Sequence, residues 1–205
     1  MAETKEKILM TALRLFARDG YEAVSVSMIA GELGITKGAL YKHYKNKRDI
    51  FDSIVERMYR LDAEKSREHN VPEEKREQNP AEYENVSLVS LKEFTVSQFL
   101  LWTEDEFASD FRKMLTLEQY RSAEMTELYA SCFTSGPVVY TEDIFREMIK
   151  NGVLKEADPK LLAVEFFAPV FLLINASDGS SDKAESLDLL NSHIDGFIRR
   201  YSAEK

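Results

Sequence analysis

The residues best suited to chemistry stand close together, between Lys37 and Arg48. This stretch, KGALYKHYKNKR, carries five Lys or Arg and no Asp or Glu. Tyr41, His43 and Tyr44 are interleaved with the lysines. Ammonium and guanidinium groups attract phosphate oxygens, and tyrosine hydroxyls and imidazole hydrogen-bond to phosphate and pack on sugar. The chemistry on offer is recognition of a polyanion, not bond-making. Gly38 adds to that reading, because a glycine early in a helix costs helix stability but lets a partner come close to the backbone. A merely solvated helix face would mix charges of both signs.

Other kinds of chemistry have no comparable support. His43, His69 and His193 are far apart, and none sits at i, i+4 from another metal ligand in the manner of a zinc protease. No Gly-rich phosphate loop or nucleophile elbow occurs. Cys132 is the single cysteine, which excludes an internal disulfide and a multi-cysteine zinc site. With no His or Lys beside it in sequence, it reads as an inert buried thiol. The acidic run Glu104-Asp105-Glu106 reads as a helix start. No catalytic residue, metal or cofactor is therefore expected.

The basic stretch needs elements to position it. Ser25 can cap a helix whose Val26, Ile29, Ala30 and Leu33 fall on one face. Gly34 stands where a helix ends in a left-handed conformation, Ile35 turns inward, and Thr36 caps a second helix predicted over Lys37 to Tyr44. Leu40 would face the first of the two. Helix, tight turn and helix make the helix-turn-helix pattern. Upstream, Thr4 to Arg18 reads as an amphipathic helix with Ile8, Leu9, Ala12, Leu15 and Phe16 inward. Asp19-Gly20 stops it, and Tyr21 and Val24 pack beneath the three-helix head. A fourth helix is predicted from Lys47 toward Ser66, with Ile50, Phe51, Ile54, Met58 and Leu61 as its stripe.

At these residues the sequence resembles the TetR family of bacterial transcriptional regulators. LGITKGALYKHYKNKRDIF is similar to that family's turn, recognition helix, basic junction and start of the fourth helix, and ILMTALRLFARDGYEAVSVSMIA to its first two helices. The motif match covers residues 5–54; beyond it the likeness is one of length and helical layout. The resemblance implies that Lys37, Gly38 and Tyr41 face base edges, and that Ser25, Ser27, Ala39, Lys42, His43, Tyr44 and Lys47 lie near phosphates. Ser27 and Lys42 occupy variable positions of the family, so no operator sequence carries over. The resemblance further implies a homodimer on a near-palindromic double-stranded DNA operator, a small-molecule effector, repression as the usual direction, and a fourth helix acting as a lever.

The charge distribution agrees with a DNA-binding head. The chain has a net charge of −9, yet residues 1–50 hold nine Lys or Arg against six Asp or Glu, which leaves the remainder at −12. A basic head on an acidic body confines phosphate attraction to one end. At 44% hydrophobic and 31% charged residues, the composition is that of an ordinary globular protein. No run is read as the roughly 18 apolar residues that span a bilayer, and the charged start, MAETKEKILM, has no signal-peptide core. A cytoplasmic protein without a membrane partner is expected.

The rest reads as all-α: a helix-turn-helix head over 1–47 and a helical effector-binding and dimerisation body over 48–205, about nine or ten helices. Residues 67–82 are polar and interrupted by prolines, and read as an exposed, mobile loop. Helices follow over Val86 to Trp102, Glu104 to Tyr120 and Ala123 to Phe133. Ser135-Gly136-Pro137 is expected to break the chain before a further helix from Thr141 to Lys150. The central segments supply Phe94, Phe99, Trp102, Phe107, Phe111, Met114, Tyr120, Met125, Tyr129, Phe133 and Phe145 as candidates for lining an effector pocket, with Tyr129, Gln119 or Glu118 as polar handles. Taken singly, each is better read as core. Asp158-Pro159 opens a helix whose LLAVEFFAPVFLLINA is apolar all round, with Pro169 expected to kink it. With the segment from Asp182 to Tyr201 it offers a dimer interface, for which Leu162, Phe166, Val170, Leu173, Leu187, Leu190, Ile194 and Phe197 are the candidates. Two other classes stay open: an all-α enzyme or lipid carrier with an incidental basic head, and a DNA-binding adaptor whose body recruits a protein.

Overall fold

The computed structural model describes residues 2–73, 76–179 and 183–203. Glu74 and Lys75 of the predicted loop, and Asp182 at the predicted start of the last helix, lie outside them. Among the described residues the chain forms α1 (Ala2–Asp19), α2 (Val26–Glu32), α3 (Lys37–Leu40), α4 (Lys47–Glu68), α5 (Pro80–Tyr83), α6 (Leu88–Glu104), α7 (Glu106–Glu118), α8 (Ala123–Phe133), α9 (Ser135–Lys150), α10 (Pro159–Ala176) and α11 (Ala184–Tyr201), with a 3-10 turn at Ser177–Gly179. The fold is all-α, and a single antiparallel bridge joins Leu154 to Ser202.

Two compact units divide these elements, one comprising Met1–Leu61 and Glu104–Tyr129, the other Asp62–Thr103 and Ala130–Lys205. In the first unit α1 packs on α2 and along α7. Ile8, Leu9, Ala12, Leu13, Leu15 and Phe16 of α1 are buried, as are Ile29, Leu40, Ile50, Phe51, Ile54, Phe107, Phe111 and Met114. Tyr21 sits between Phe16 and Phe51, edge-on to each at 5.1 Å. The guanidinium of Arg57 lies 4.3 Å over the Phe107 ring, an arrangement in which the cation meets the electron-rich face.

In the second unit α10 packs on α9 and α11. Phe145, Phe166 and Phe197 meet at its centre, Phe145 stacked on Phe197 at 5.3 Å and Phe166 edge-on to both at 5.5 and 5.0 Å. Large aromatic side chains in such pairs contribute beyond their buried area. Glu147 is only 2% exposed; its carboxylate accepts from Arg76 and from Lys150 at 2.8 Å. A charge so buried is tolerable because it is paired and hydrogen-bonded.

Four departures from the sequence reading have local causes. After Leu40 the predicted second helix tightens, with His43 N–H donating to the Leu40 carbonyl at 2.9 Å and Lys42 N–H to Ala39 at 3.3 Å. Ser135-Gly136-Pro137 does not break the chain but opens α9. Proline fits a first helical turn, whose N–H groups lack intrahelical partners. Gly136 is required there, since a Cβ on it would lie 1.9 Å from the Ser131 carbonyl oxygen. The 67–82 segment is anchored where described: Val71 and Tyr83 are buried, Tyr140 Oη donates to the Pro72 carbonyl at 3.0 Å, and Arg76 pairs with Glu147. Finally, α10 is long and apolar enough by length and composition to cross a bilayer, which the sequence reading had not recognised. Pro169 lies inside this helix.

Candidate nucleic-acid interface

The head is built by caps. Ser25 Oγ accepts the Met28 amide at 3.2 Å and starts α2. Gly34, at φ +64°, reverses the chain after α2, and Ile35 N–H reaches back to the Ala30 carbonyl at 3.0 Å. A non-glycine residue would be strained in that conformation. Thr36 Oγ1 then accepts the Ala39 amide at 3.1 Å and starts α3. Asn46 Oδ1 accepts the Asp49 amide at 2.8 Å, and Asp49 in return accepts the Lys45 amide at 2.8 Å, fixing the start of α4. Leu40, fully buried, holds α3 against the core.

With Leu40 inward, Lys37, Gly38, Tyr41 and Lys42 face solvent. Tyr41 is 50% exposed, unusual for so large an apolar ring. Lys37, Lys42 and Lys45 enter no ion pair among the described residues, so their charges are free to meet a polyanion. Ser25 and Ser27 are exposed, and Ala39 and His43 half-buried. Three basic or aromatic residues are engaged otherwise. Tyr44 is 2% exposed and its hydroxyl donates to the Lys5 carbonyl at 3.3 Å; burial and then the Glu6 and Asp49 charges push its pKa up to about 12. Lys47 Nζ donates to the Tyr21 carbonyl at 2.7 Å and lies 4.2 Å over that residue's ring. Arg48 is held by Asp52 and Glu124, whose hydrogen bonds raise its pKa further. Tyr44 thus serves packing, and Lys47 also braces the head. Lys45, exposed and unpaired, belongs with the free lysines; its position in the basic run was the available signal.

The pocket candidates do not form one group. Phe107, Phe111, Met114, Tyr120, Met125 and Tyr129 fall in the first unit, and Phe94, Phe99, Trp102, Phe133 and Phe145 in the second. Tyr120 is 89% exposed, while Phe99, Phe107, Phe111, Met114 and Phe145 are buried. Trp102 meets Phe133 edge-on at 4.9 Å. Glu118, proposed as a polar handle, accepts the Tyr21 backbone amide at 2.9 Å. A cleft of about 420 Å³ lies elsewhere, lined by Arg67, Asn70, Val71, Glu73, Ala81, Glu82 and Asn85.

Of the interface candidates, Leu162, Phe166, Val170, Leu190, Ile194 and Phe197 are buried within the chain's own core, and Leu173 and Leu187 are half-buried. The apolar side chains that α10 leaves outside are others: Leu161 and Leu172 are each 65% exposed and Val164 45%, with Leu189 of α11 at 52%. A helix apolar all round was expected to be covered all round; the core covers one face.

A capped helix, a left-handed glycine turn and a second short helix bearing unpaired lysines define a helix-turn-helix protein with an all-α body. Residues 8–54 match the family model described as bacterial regulatory proteins, tetR family. Over 56 residues the chain is 46% identical to the HTH-type transcriptional regulator YerO of Bacillus subtilis, covering 27% of this chain and 19% of that one. It is 46% identical over 54 residues to AcrR of Shigella flexneri, 26% of this chain and 25% of that one. The match therefore spans a quarter or less of these relatives' length. Across nearly the whole chain the fold is similar to that of SmeT, the repressor of the Stenotrophomonas maltophilia multidrug efflux pump SmeDEF, with a TM-score of 0.66 at 23% identity over 98% of this chain and 91% of that one. SmeT in complex with triclosan is similar at a TM-score of 0.68 and 24% identity, over 98% and 93%. Residues 8–54 are thus similar to the DNA-binding part of the TetR family, and the whole chain shares the fold of such regulators.

Proposed function

We propose that this protein is a cytoplasmic, homodimeric regulator of transcription, not an enzyme, that represses from a near-palindromic operator and is released by a small-molecule effector. The observation that carries the reading is the exposed face of α3 and the turn after it: three lysines without ion pairs among the described residues, beside an exposed tyrosine and a glycine, in a chain of net charge −9. Lys37 and Tyr41 would meet base edges with the Gly38 backbone close by, and Lys37 is the best candidate for a guanine contact. Lys42, Lys45, His43, Lys47, Ser25, Ser27 and Ala39 would line the phosphates.

Residues 1–47 would form the DNA-binding part and 48–205 the effector and dimer part. A four-residue recognition helix needs two half-sites for useful affinity, which a two-fold dimer supplies. The exposed Leu161, Val164, Leu172 and Leu189 are the surface best suited to that contact, continuous with a core already built from α10 and α11. The single helix α4, which starts in the basic junction, would carry an effector's influence to the heads. SmeT, similar in fold, is a repressor captured with triclosan, in keeping with an effector-responsive body. The test is the salt dependence of operator binding by fluorescence anisotropy. Affinity should fall steeply with salt, and Lys42→Ala should reduce the slope of log K against log[salt] by about one unit. A salt-independent affinity, or an unchanged slope in Lys42→Ala, would contradict it.

A further inference from the structure

Arg48 closes the basic run, yet its charge is more than cancelled where it stands. Its Nη1 donates to Glu124 Oε2 at 2.9 Å and its Nη2 donates to Glu124 Oε1, so that the guanidinium fork meets the carboxylate with both prongs. Its Nε donates to Asp52 Oδ1 at 2.6 Å. One positive charge thus meets two negative ones, and the cluster is net negative. Asp52 lies one turn further along α4, whereas Glu124 comes from the start of α8, 76 residues away. All three belong to the first compact unit.

The cluster adjoins the face assigned to DNA. Lys47 Nζ lies 4.2 Å over the Tyr21 ring, the Arg48 guanidinium lies 5.3 Å over the Phe51 ring, and the two rings meet edge-on at 5.1 Å. Two neighbouring cations therefore rest on a continuous pair of rings, but their partners differ. Lys47 donates to the carbonyls of Tyr21 and Glu22, neutral oxygens that do not cancel its charge. Arg48 donates to carboxylates. Attraction for a polyanion comes from cations that can neutralise phosphates, so two carboxylates on Arg48 withdraw one cation from the run and repel phosphate as well.

This arrangement is open to exchange. Arg48, Asp52 and Glu124 are all exposed, the Arg48 and Glu124 side chains at 48% and 55%, and exposed ion pairs are weak because water screens them. Glu124 needs no arginine to keep its place, since it stands in the first turn of α8, where the helix dipole favours a negative charge. Without that charge Arg48 would retain one carboxylate, at Nε, and turn both Nη groups to solvent. A guanidinium fork fits phosphate as well as it fits carboxylate. We propose that Arg48 is a further phosphate-binding residue of the DNA interface, and that Glu124 is a competitor built into the chain that holds it off the DNA. The inference rests on the DNA-binding reading above and adds an internal limit on its affinity.

Fluorescence anisotropy of the full chain on a mixed-sequence duplex of about 30 base pairs, at several salt concentrations, tests this directly, because phosphate attraction is independent of sequence. Glu124→Gln should bind more tightly than the parent and steepen the fall of log K with log[salt] by about one unit, so that its advantage shrinks roughly threefold between about 50 and 200 mM salt. Adding Arg48→Ala should remove that unit again, whereas Arg48→Ala alone should flatten the parent's slope by less than about half as much. An unchanged slope in Glu124→Gln would overturn the proposal. So would a steeper slope that persists without Arg48, which is the mark of simple removal of a negative charge. All the substituted side chains are exposed, and circular dichroism of each variant should match the parent. Sequence selection by the parent, measured in parallel, separates this inference from the function beneath it. A parent that binds the duplex but selects no site overturns the regulator, while the slopes still decide on Arg48; a parent and variants that bind no duplex overturn both.

Discussion

Glu118 Oε1, at the end of α7, accepts the backbone amide of Tyr21 at 2.9 Å. The Tyr21 carbonyl in turn accepts from Lys47 Nζ at 2.7 Å. The backbone of one residue in the α1–α2 connection is thus gripped by a buried carboxylate at its amide and by the basic junction at its carbonyl. The fit is close: a Cβ on the preceding Gly20, at φ +85°, would lie 2.8 Å from the same carboxylate oxygen. The helix that bears Glu118 follows the head by more than fifty residues, yet it completes the head's compact unit.

Removing that acceptor should be felt in stability. Glu118 is 1% exposed, and Glu118→Ala leaves a part-buried amide unpaired, costing about 1–3 kcal/mol. Glu118→Gln keeps an oxygen acceptor and should lose less. Urea denaturation of both variants provides the comparison, and equal stability of Glu118→Ala and parent would refute the strut.

Two glycines should respond with opposite signs to the same substitution. Gly136→Ala forces a Cβ onto the Ser131 carbonyl, and overpacking against backbone costs about 1–3 kcal/mol or more. At Gly31, inside α2, nothing lies within 4 Å of the added Cβ. Gly31→Ala should therefore stabilise by roughly 0.5–1 kcal/mol through helix propensity. Thermal unfolding of the pair reads both signs in one experiment.

Alkaline pH should destabilise the chain in part through two buried tyrosines. Burial is the leading cause that pushes the hydroxyls of Tyr44 and Tyr83 up to about 12, from an ordinary 10.0. A folded-state pKa above the unfolded one stabilises fully below the unfolded value and is lost as pH climbs through the folded value. Stability should hold up to about pH 10 and fall between 10 and 12, with Tyr44→Phe and Tyr83→Phe together flattening the fall. An unchanged alkaline slope in the double variant would show that other groups govern it.

The head was legible because its signals are local. Ser25, Gly34 and Thr36 each act on a residue two to five positions away, and all three do in the structure what their types and spacing imply. What escaped the sequence depends on partners distant in the chain. The run Leu161 to Ala176 shows that a helix is apolar, but only packing on α9 and α11 decides that Phe166 and Val170 point inward and Leu161 and Leu172 outward. Glu118 gives no sign in sequence that its partner is the Tyr21 amide. Ser135-Gly136-Pro137 carries residues suited both to a break and to a tight helix entry, and the close Ser131 carbonyl decides between them.

The exposed face of α10 offers a test of self-association. Leu172→Glu places a charge at a site 65% exposed in the single chain, so the fold should tolerate it. At a dimer contact it would bury an unpaired carboxylate, a cost of several kcal/mol. Sedimentation velocity should show a dimer for the parent and a monomer for Leu172→Glu with unchanged helical content. A dimer that survives the substitution would place the contact elsewhere.

The central claim, specific DNA recognition by the face around Lys37, is most directly tested by selection of genomic fragments with purified parent and Lys37→Ala, read by sequencing at two salt concentrations. The parent should enrich a two-fold symmetric site, more weakly at the higher salt, and Lys37→Ala should lose discrimination at one base pair per half-site, roughly 1–3 kcal/mol. Uniform enrichment without a motif, or a Lys37→Ala variant selecting the same site as well as the parent does, would contradict the assignment of this face.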